Sequence, residues 1–76
     1  TIIPNDPYVK RNYALALIEN ERYYDGLIKL LEIVEDYGYI DDIIYVFKNN
    51  LTFYKEKLTM KEREALQKIY NFISFY

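Results

Sequence analysis

Hydrophobic side chains recur along the chain with the spacing of one face of an α-helix. In the first such segment, from about Pro7 to about Asn20, this face consists of Val9, Tyr13, Ala14, Leu17 and Ile18. These positions follow the i, i+4, i+5, i+8, i+9 pattern of an amphipathic helix. Asp6 fits the N-cap of this helix, and Pro7 fits its first turn, where a missing N–H is tolerated.

A second helix is predicted from Tyr23 to Tyr37, after the short polar turn 20–22. Its apolar stripe consists of Leu27, Ile28, Leu30, Leu31, Ile33 and Val34. An interior glycine costs a helix about 1 kcal/mol relative to alanine, so Gly26 calls for a structural reason. We expect the backbones of the two helices to approach closely there. Gly38 fits the left-handed position that follows a helix.

A third helix is predicted as one long element from Tyr39 or Ile40 to about Lys57. Asn49-Asn50 is its weakest point, and whether the helix kinks or breaks there is left open by the sequence. Its stripe is spaced 4, 3, 4, 3, 4 and consists of Ile40, Ile44, Phe47, Leu51, Tyr54 and Leu58. The β-branched and aromatic segment 43–47 is the part of the chain that most favours a strand instead.

A fourth helix is predicted from about Met60 to Phe75. Thr59 and Glu62 form the T-x-x-E pattern of a capping box in front of it. Its apolar face consists of Leu66, Ile69, Phe72 or Ile73, and Tyr76. The predicted fold is therefore all-α, with three to four helices in antiparallel helical hairpins.

The first hairpin resembles a tetratricopeptide repeat over residues 7–38. Counting from Pro7, large residues of this family match Tyr13, Leu17, Tyr23 and Leu30, and small ones match Ala14 and Gly26. Lys10, Ile33 and Gly38 depart from the usual residues, and Lys48 stands where a second repeat would have a small one. The resemblance implies a right-handed helical repeat fragment, with residues 1–6 as the connector from a preceding segment and 39–76 as a divergent second helical pair or capping helices.

Composition limits the chain to one globular domain. It has 76 residues, of which 51% are hydrophobic, and a net charge of only −2. There is no cysteine for a disulfide framework, no apolar run of membrane-spanning length and no signal-peptide pattern, so we expect a cytoplasmic protein. The first residue is not Met, which predicts a fragment of a longer protein.

The residue types needed for common catalytic sites are missing. Without His or Cys, neither a hydroxyl–imidazole arrangement nor a Cys/His zinc site is available. The acidic pairs, such as Glu62 and Glu64, point in different directions on a helix, and the two glycines form no phosphate loop. We therefore expect no enzymatic activity, no cofactor and no metal.

Charge is unevenly distributed along the sequence. Residues 19–42 are rich in acids, and the basic residues of the second half are Lys48, Lys55, Lys57, Lys61, Arg63 and Lys68. One interpretation is that the acidic and the basic half are simply solvated. The other is that they attract each other head to tail between modules, or that the basic half binds an acidic partner. With Phe53 and Tyr54 between them, the cations also fit nucleic-acid binding, although the negative net charge argues against it.

The resemblance implies a partner-binding groove lined by the first helix. The residues in those positions are Tyr8, Arg11, Asn12, Leu15, Ile18 and Glu19. Tyr8 and Arg11 lie one turn apart, so that a ring and a guanidinium can share one peptide contact. The alternative is that Leu15 and Ile18 pack on the next helix while Arg11 is simply exposed. Asn12 matches one carboxylate-gripping position of the family, but the full set is absent.

The function predicted from the sequence is a non-catalytic protein–protein interaction or assembly module. Two alternatives stay open at this point. One is a small all-helical nucleic-acid-binding regulator that uses the basic 48–68 surface, and the other is a self-associating helical domain.

Overall fold

The computed structural model describes residues 6–73, and within this range the chain is helical. The four α-helices are α1 (Pro7–Glu19), α2 (Tyr23–Tyr37), α3 (Asp41–Tyr54) and α4 (Met60–Ile73), and a 3-10 turn covers Lys55–Lys57. No strand occurs in residues 6–73, and the segment 43–47 lies inside α3. The predicted all-α fold class is confirmed.

The N-terminus of α1 is capped as the sequence predicts. One carboxylate oxygen of Asp6, Oδ1, accepts a hydrogen bond from the backbone N–H of Tyr8 at 2.8 Å, and Pro7 occupies the first turn. At the other end, the side-chain amide of Asn20 donates to the Ala16 carbonyl at 2.8 Å. Glu21 then adopts a left-handed conformation with φ of 66°, which reverses the chain toward α2.

The helices α1 and α2 pack closely at Gly26. A Cβ atom placed on Gly26 would lie 2.6 Å from the carbonyl oxygen of Ala14 and 2.5 Å from Cγ1 of Ile18. Both distances are shorter than van der Waals contact, so no side chain fits between the two helices at this point. The predicted close approach at Gly26 is confirmed, and it gives the physical reason for a glycine inside α2.

The hydrophobic core is built around α2, which contacts α1, α3 and α4. The largest fully buried side chains are Leu27, Leu30, Leu31, Ile43, Phe47 and Leu66. Aromatic stacking adds contacts between helices. Tyr23 of α2 stacks on Tyr54 of α3, with 4.7 Å between the ring centroids. Similarly, Phe47 of α3 stacks on Tyr70 of α4 at 5.8 Å.

The pair α3 and α4 differs from the hairpin of α1 and α2. The backbones of α3 and α4 approach each other at few points, whereas those of α1 and α2 run side by side. The rings of Phe47 and Tyr70 lie at the contact between α3 and α4. The second pair is therefore held together through large side chains and through its shared contact with α2.

The apolar face predicted for α1 is only partly buried. Ala14, Leu17 and Ile18 are in the core, but Val9 and Tyr13 are 42% and 57% exposed. The covered part of this face is the part that packs on α2 around Gly26. Toward the N-terminus of α1, the described helices leave the apolar face open.

The helix α3 is shorter than the sequence predicts. It begins at Asp41, with Ile40 as N-cap, and its α-helical part ends at Tyr54 before the 3-10 turn. No break occurs at Asn49-Asn50, because the side-chain amide of Asn50 donates to the carbonyl of Val46 one turn earlier at 2.8 Å. Gly38, with φ of 88° and ψ of −177°, has a positive φ that favours glycine, but its ψ lies outside the left-handed helical region predicted for the residue after α2.

The predicted capping box in front of α4 is confirmed. The backbone N–H of Thr59 donates to Oε1 of Glu62 at 2.9 Å, and the N–H of Glu62 donates to Oγ1 of Thr59 at 3.1 Å. The predicted end of this helix at Phe75 lies outside the described residues, as does most of the predicted connector 1–6.

Replacing Thr59 by alanine is expected to lower the free energy of unfolding by about 1 kcal/mol, the typical loss for an N-cap hydroxyl. Thr59 is exposed, so the loss reports the capping hydrogen bond rather than core packing. Urea denaturation of the wild type and of Thr59→Ala measures it. Thr59→Ser keeps the hydroxyl and should stay close to wild type, and equal losses in both variants would contradict the capping role.

Candidate interaction surfaces

Three of the predicted partner-binding residues form one group on the first turns of α1. The guanidinium carbon Cζ of Arg11 lies 5.2 Å from the ring centroid of Tyr8. The amino group Nη2 of Arg11 donates to Oδ1 of Asn12 at 3.4 Å. We call Tyr8, Arg11 and Asn12 the α1 aromatic–guanidinium group. Its stacked ring and side-chain hydrogen bond restrict the orientation of the guanidinium.

The charge of Arg11 has no partner within the described part of the chain. No carboxylate there lies within salt-bridge distance of Arg11, since the ion pairs found join Arg22 to Asp25 and Lys29 to Glu32. The Nε atom of Arg11 is buried without a hydrogen-bond acceptor. A guanidinium offers five N–H donors in a fixed fork, and among residues 6–73 only Asn12 accepts a hydrogen bond from that of Arg11.

The other three predicted partner-binding residues are distributed differently. Leu15 is half-buried beside the core, and Glu19 is exposed at the last residue of α1. Ile18 is only 4% exposed and contacts α2 next to Gly26, so it does not line an accessible groove. The helix brings Tyr8, Arg11 and Asn12 together and leaves Glu19 about 12 Å along the axis from Arg11.

A cleft that the sequence does not predict lies between α1 and α2, and we call it the α1–α2 cleft. It has a volume of about 360 Å³. Val9 and Tyr13 of α1 and Ile33 of α2 supply its apolar lining, and charged side chains surround it: Lys10, Lys29, Glu32 and Asp36. The i, i+4 spacing of Val9 and Tyr13 is the sequence signal for this cleft, although the same spacing also predicts a buried helix face.

The charged residues of the α1–α2 cleft have weak contacts or none. The ammonium of Lys29 lies 3.4 Å from Oε2 of Glu32, with about half of each side chain exposed. The ammonium of Lys10 lies 5.4 Å from the ring centroid of Tyr37. No cation in the described range pairs with Asp36. Exposed ion pairs of this kind contribute about 0–1 kcal/mol, so their charges are free to change partners.

The basic residues of the second half are exposed. They are Lys48, Lys55, Lys57, Lys61, Arg63 and Lys68, and in residues 6–73 none of them forms an ion pair. Phe53 lies next to them with 79% of its surface exposed. Glu56 and Glu64 are exposed among these cations, so the surface has both signs of charge. Nucleic-acid binding by this surface stays a prediction.

Lys48 is the one basic residue of this set with a defined aromatic contact. Its ammonium lies 5.4 Å from the ring centroid of Tyr70. A hydrogen bond to Tyr70 and the charge interaction with the same phenol raise the pKa of Lys48 above its ordinary value. Lys48 is therefore fully charged at neutral pH and links the exposed side of α3 to α4.

Two further observations concern metals and membranes. Among residues 6–73, no group of three or more His, Cys, Asp or Glu side chains is arranged to hold a metal ion. Within the same range, no helix combines the length and the apolar character needed to cross a lipid bilayer.

Comparison with known proteins adds no relative. No family model matches the chain, and neither curated proteins nor solved structures give a significant match. The resemblance to a tetratricopeptide repeat therefore rests on the residue register of 7–38 alone.

Proposed function

We propose that the chain is a non-catalytic protein–protein interaction or assembly module of a cytoplasmic protein. The observation that supports this proposal most is the α1 aromatic–guanidinium group. It combines an exposed ring with a cation that no described residue neutralises. Tyrosine and arginine are the residue types that, together with tryptophan, most often dominate the energy of protein interfaces.

The geometry of this group suits recognition of a peptide. The Tyr8 ring offers apolar contact area, and the guanidinium offers paired donors for a carboxylate or for backbone carbonyls. Stacking on Tyr8 and the hydrogen bond to Asn12 order the Arg11 side chain before a partner arrives. A side chain that is already ordered loses less conformational entropy on binding.

The tetratricopeptide-like part of the proposal concerns the hairpin of α1 and α2. The contact between Gly26 and Ala14 occurs where the register of this family has its two small residues. In that register α1 is the helix that lines the binding groove. The proposal therefore places a partner against the side of α1 that carries Tyr8, Arg11 and Asn12.

The test is selection of peptides from a random display library on the immobilised domain, followed by fluorescence anisotropy with the selected peptides. Arg11→Ala is expected to raise the dissociation constant about tenfold or more, as hot-spot arginines do. Tyr8→Ala should act in the same direction. Arg11→Lys should not restore affinity, because an ammonium cannot form the paired contacts of a guanidinium.

Arg22→Ala is the matched control for Arg11→Ala. Arg22 is an exposed arginine at the other end of the hairpin, where it pairs with Asp25, whereas Arg11 is half-buried. Its replacement should leave peptide affinity unchanged. Equal affinity of the wild type, Tyr8→Ala and Arg11→Ala would refute the proposed binding surface.

A further inference from the structure

The α1–α2 cleft carries charges of both signs in an order that lets two copies pair with each other. Along α2 its lining residues are Lys29, Glu32, Ile33 and Asp36, which follow the i, i+3, i+4, i+7 spacing of one helix face. This face carries Lys29 near one end and Asp36, which has no ion-pair partner within residues 6–73, near the other; Glu32, which pairs with Lys29, and the buried Ile33 lie between them. Two copies of such a face attract each other when they run in opposite directions.

We propose that the α1–α2 cleft is the interface of a symmetric homodimer, in which α2 packs antiparallel to α2 of a second copy. The proposal goes beyond the peptide-binding function, because Tyr8, Arg11 and Asn12 do not line the cleft. A two-fold axis makes every contact occur twice, since each copy offers the same surface to the other.

The order of residues on α2 fixes the register of this dimer. When the two-fold axis passes between Glu32 and Ile33, Lys29 of one copy lies opposite Asp36 of the other, and the reverse pair is formed as well. The exposed apolar groups that line the cleft are Val9 and Tyr13 of α1, whereas Ile33 is only 2% exposed. The exposed fractions of Val9 and Tyr13, 42% and 57%, are the apolar surface that the second copy removes from water.

A parallel arrangement does not satisfy the same charges. It would place Lys29 against Lys29 and Asp36 against Asp36, and like charges that face each other are repelled. The antiparallel register also gives Asp36 the cation it lacks within the described chain. Lys29 makes this contact while it keeps its exposed pair with Glu32 at 3.4 Å, so that Glu32, which lies beside the axis, keeps its cation.

Sedimentation equilibrium between micromolar and millimolar protein concentrations tests the dimer. The wild type is expected to dimerise, and either Lys29→Glu or Asp36→Lys should raise the dimer dissociation constant about tenfold or more, because each change creates repulsion at two symmetric places. An equimolar mixture of the two variants should form a heterodimer, since both opposed pairs then have opposite charges. The double variant Lys29→Glu/Asp36→Lys should dimerise with itself for the same reason.

Glu35→Lys is the matched control for Asp36→Lys. It makes the same change of charge on the neighbouring exposed residue of α2, which does not line the cleft. It should leave the dissociation constant unchanged, and circular dichroism should show that every variant keeps its helix content.

Three results would overturn the proposal. They are a wild type that is monomeric at every concentration, a dimer that survives both single charge reversals, and a mixture of the two variants that does not associate. None of these results affects peptide binding by Tyr8 and Arg11. The homodimer and the proposed function therefore fail or stand separately.

Discussion

Replacing Phe47 by alanine is expected to cost the domain about 3–5 kcal/mol of stability, the usual loss for a buried phenylalanine. Phe47 is 1% exposed and stacks on Tyr70, so its ring fills the contact between α3 and α4. A domain of this size has a total stability of about 4–11 kcal/mol. The variant should therefore lose about a quarter or more of its stability and melt well below the wild type. Thermal melting followed by circular dichroism at 222 nm measures this.

Phe53→Ala is the matched control for Phe47→Ala, because it removes the same side chain from the same helix. Phe53 is 79% exposed, and its described ring contact is edge-on with Tyr54. Its removal should change stability by less than about 1 kcal/mol. Similar losses in the two variants would show that α3 does not bury the face that carries Phe47.

Gly26→Ala is expected to destabilise the domain by about 1–3 kcal/mol, the usual range for overpacking. The added methyl group would collide with the carbonyl oxygen of Ala14, a backbone atom that moves only if α1 and α2 separate. Helix propensity acts in the opposite direction, because alanine is favoured over glycine by about 1 kcal/mol inside a helix. The sign of the change therefore shows which effect is larger. Urea denaturation provides the measurement.

Glu35→Ala separates the two effects. It introduces alanine at an exposed position of α2, where no helix is crowded, and it should leave stability within about 0.5 kcal/mol of wild type. If Gly26→Ala is more stable than the wild type, α1 and α2 lie further apart than the contact between Gly26 and the Ala14 carbonyl requires.

The elements of this fold are predictable from the sequence because their signals are local. Asp6, Gly38 and the pair Thr59 and Glu62 mark helix ends through hydrogen bonds and backbone conformations that involve only neighbouring residues. Gly26 also predicts a contact with a distant segment. Glycine lowers the stability of a helix, so its presence inside α2 indicates that another segment packs closely there. The structure places that contact at the Ala14 carbonyl.

What could not be predicted depends on which helices cover which faces. The periodicity of α1 puts Val9 and Tyr13 on the same face as Ala14. It does not indicate how many turns of α1 are covered by α2, and in the structure Val9 and Tyr13 stay exposed. The α1–α2 cleft follows from this partial coverage. Ile18 is buried although the tetratricopeptide register places it in an accessible groove. Its burial results from the close approach of α2 at Gly26, which the register does not describe.

The hairpin of α1 and α2 carries two different surfaces, the α1 aromatic–guanidinium group and the α1–α2 cleft, and they suggest different roles. The α1 aromatic–guanidinium group presents a fixed cation beside a ring, which fits a peptide that carries acceptors. The α1–α2 cleft presents both signs of charge around an apolar centre, which fits a second copy of the chain. A dimer of this kind would display two peptide-binding groups, and paired sites increase avidity for partners that carry two motifs.

The most direct test of the proposed function is an NMR titration of the isotope-labelled domain with the tightest peptide from the display selection. The largest amide shift changes are expected at Tyr8, Arg11, Asn12 and Leu15, and they should disappear in Arg11→Ala. Changes centred on the basic residues between Lys48 and Lys68, or changes that persist unaltered in Arg11→Ala, would contradict the proposed function.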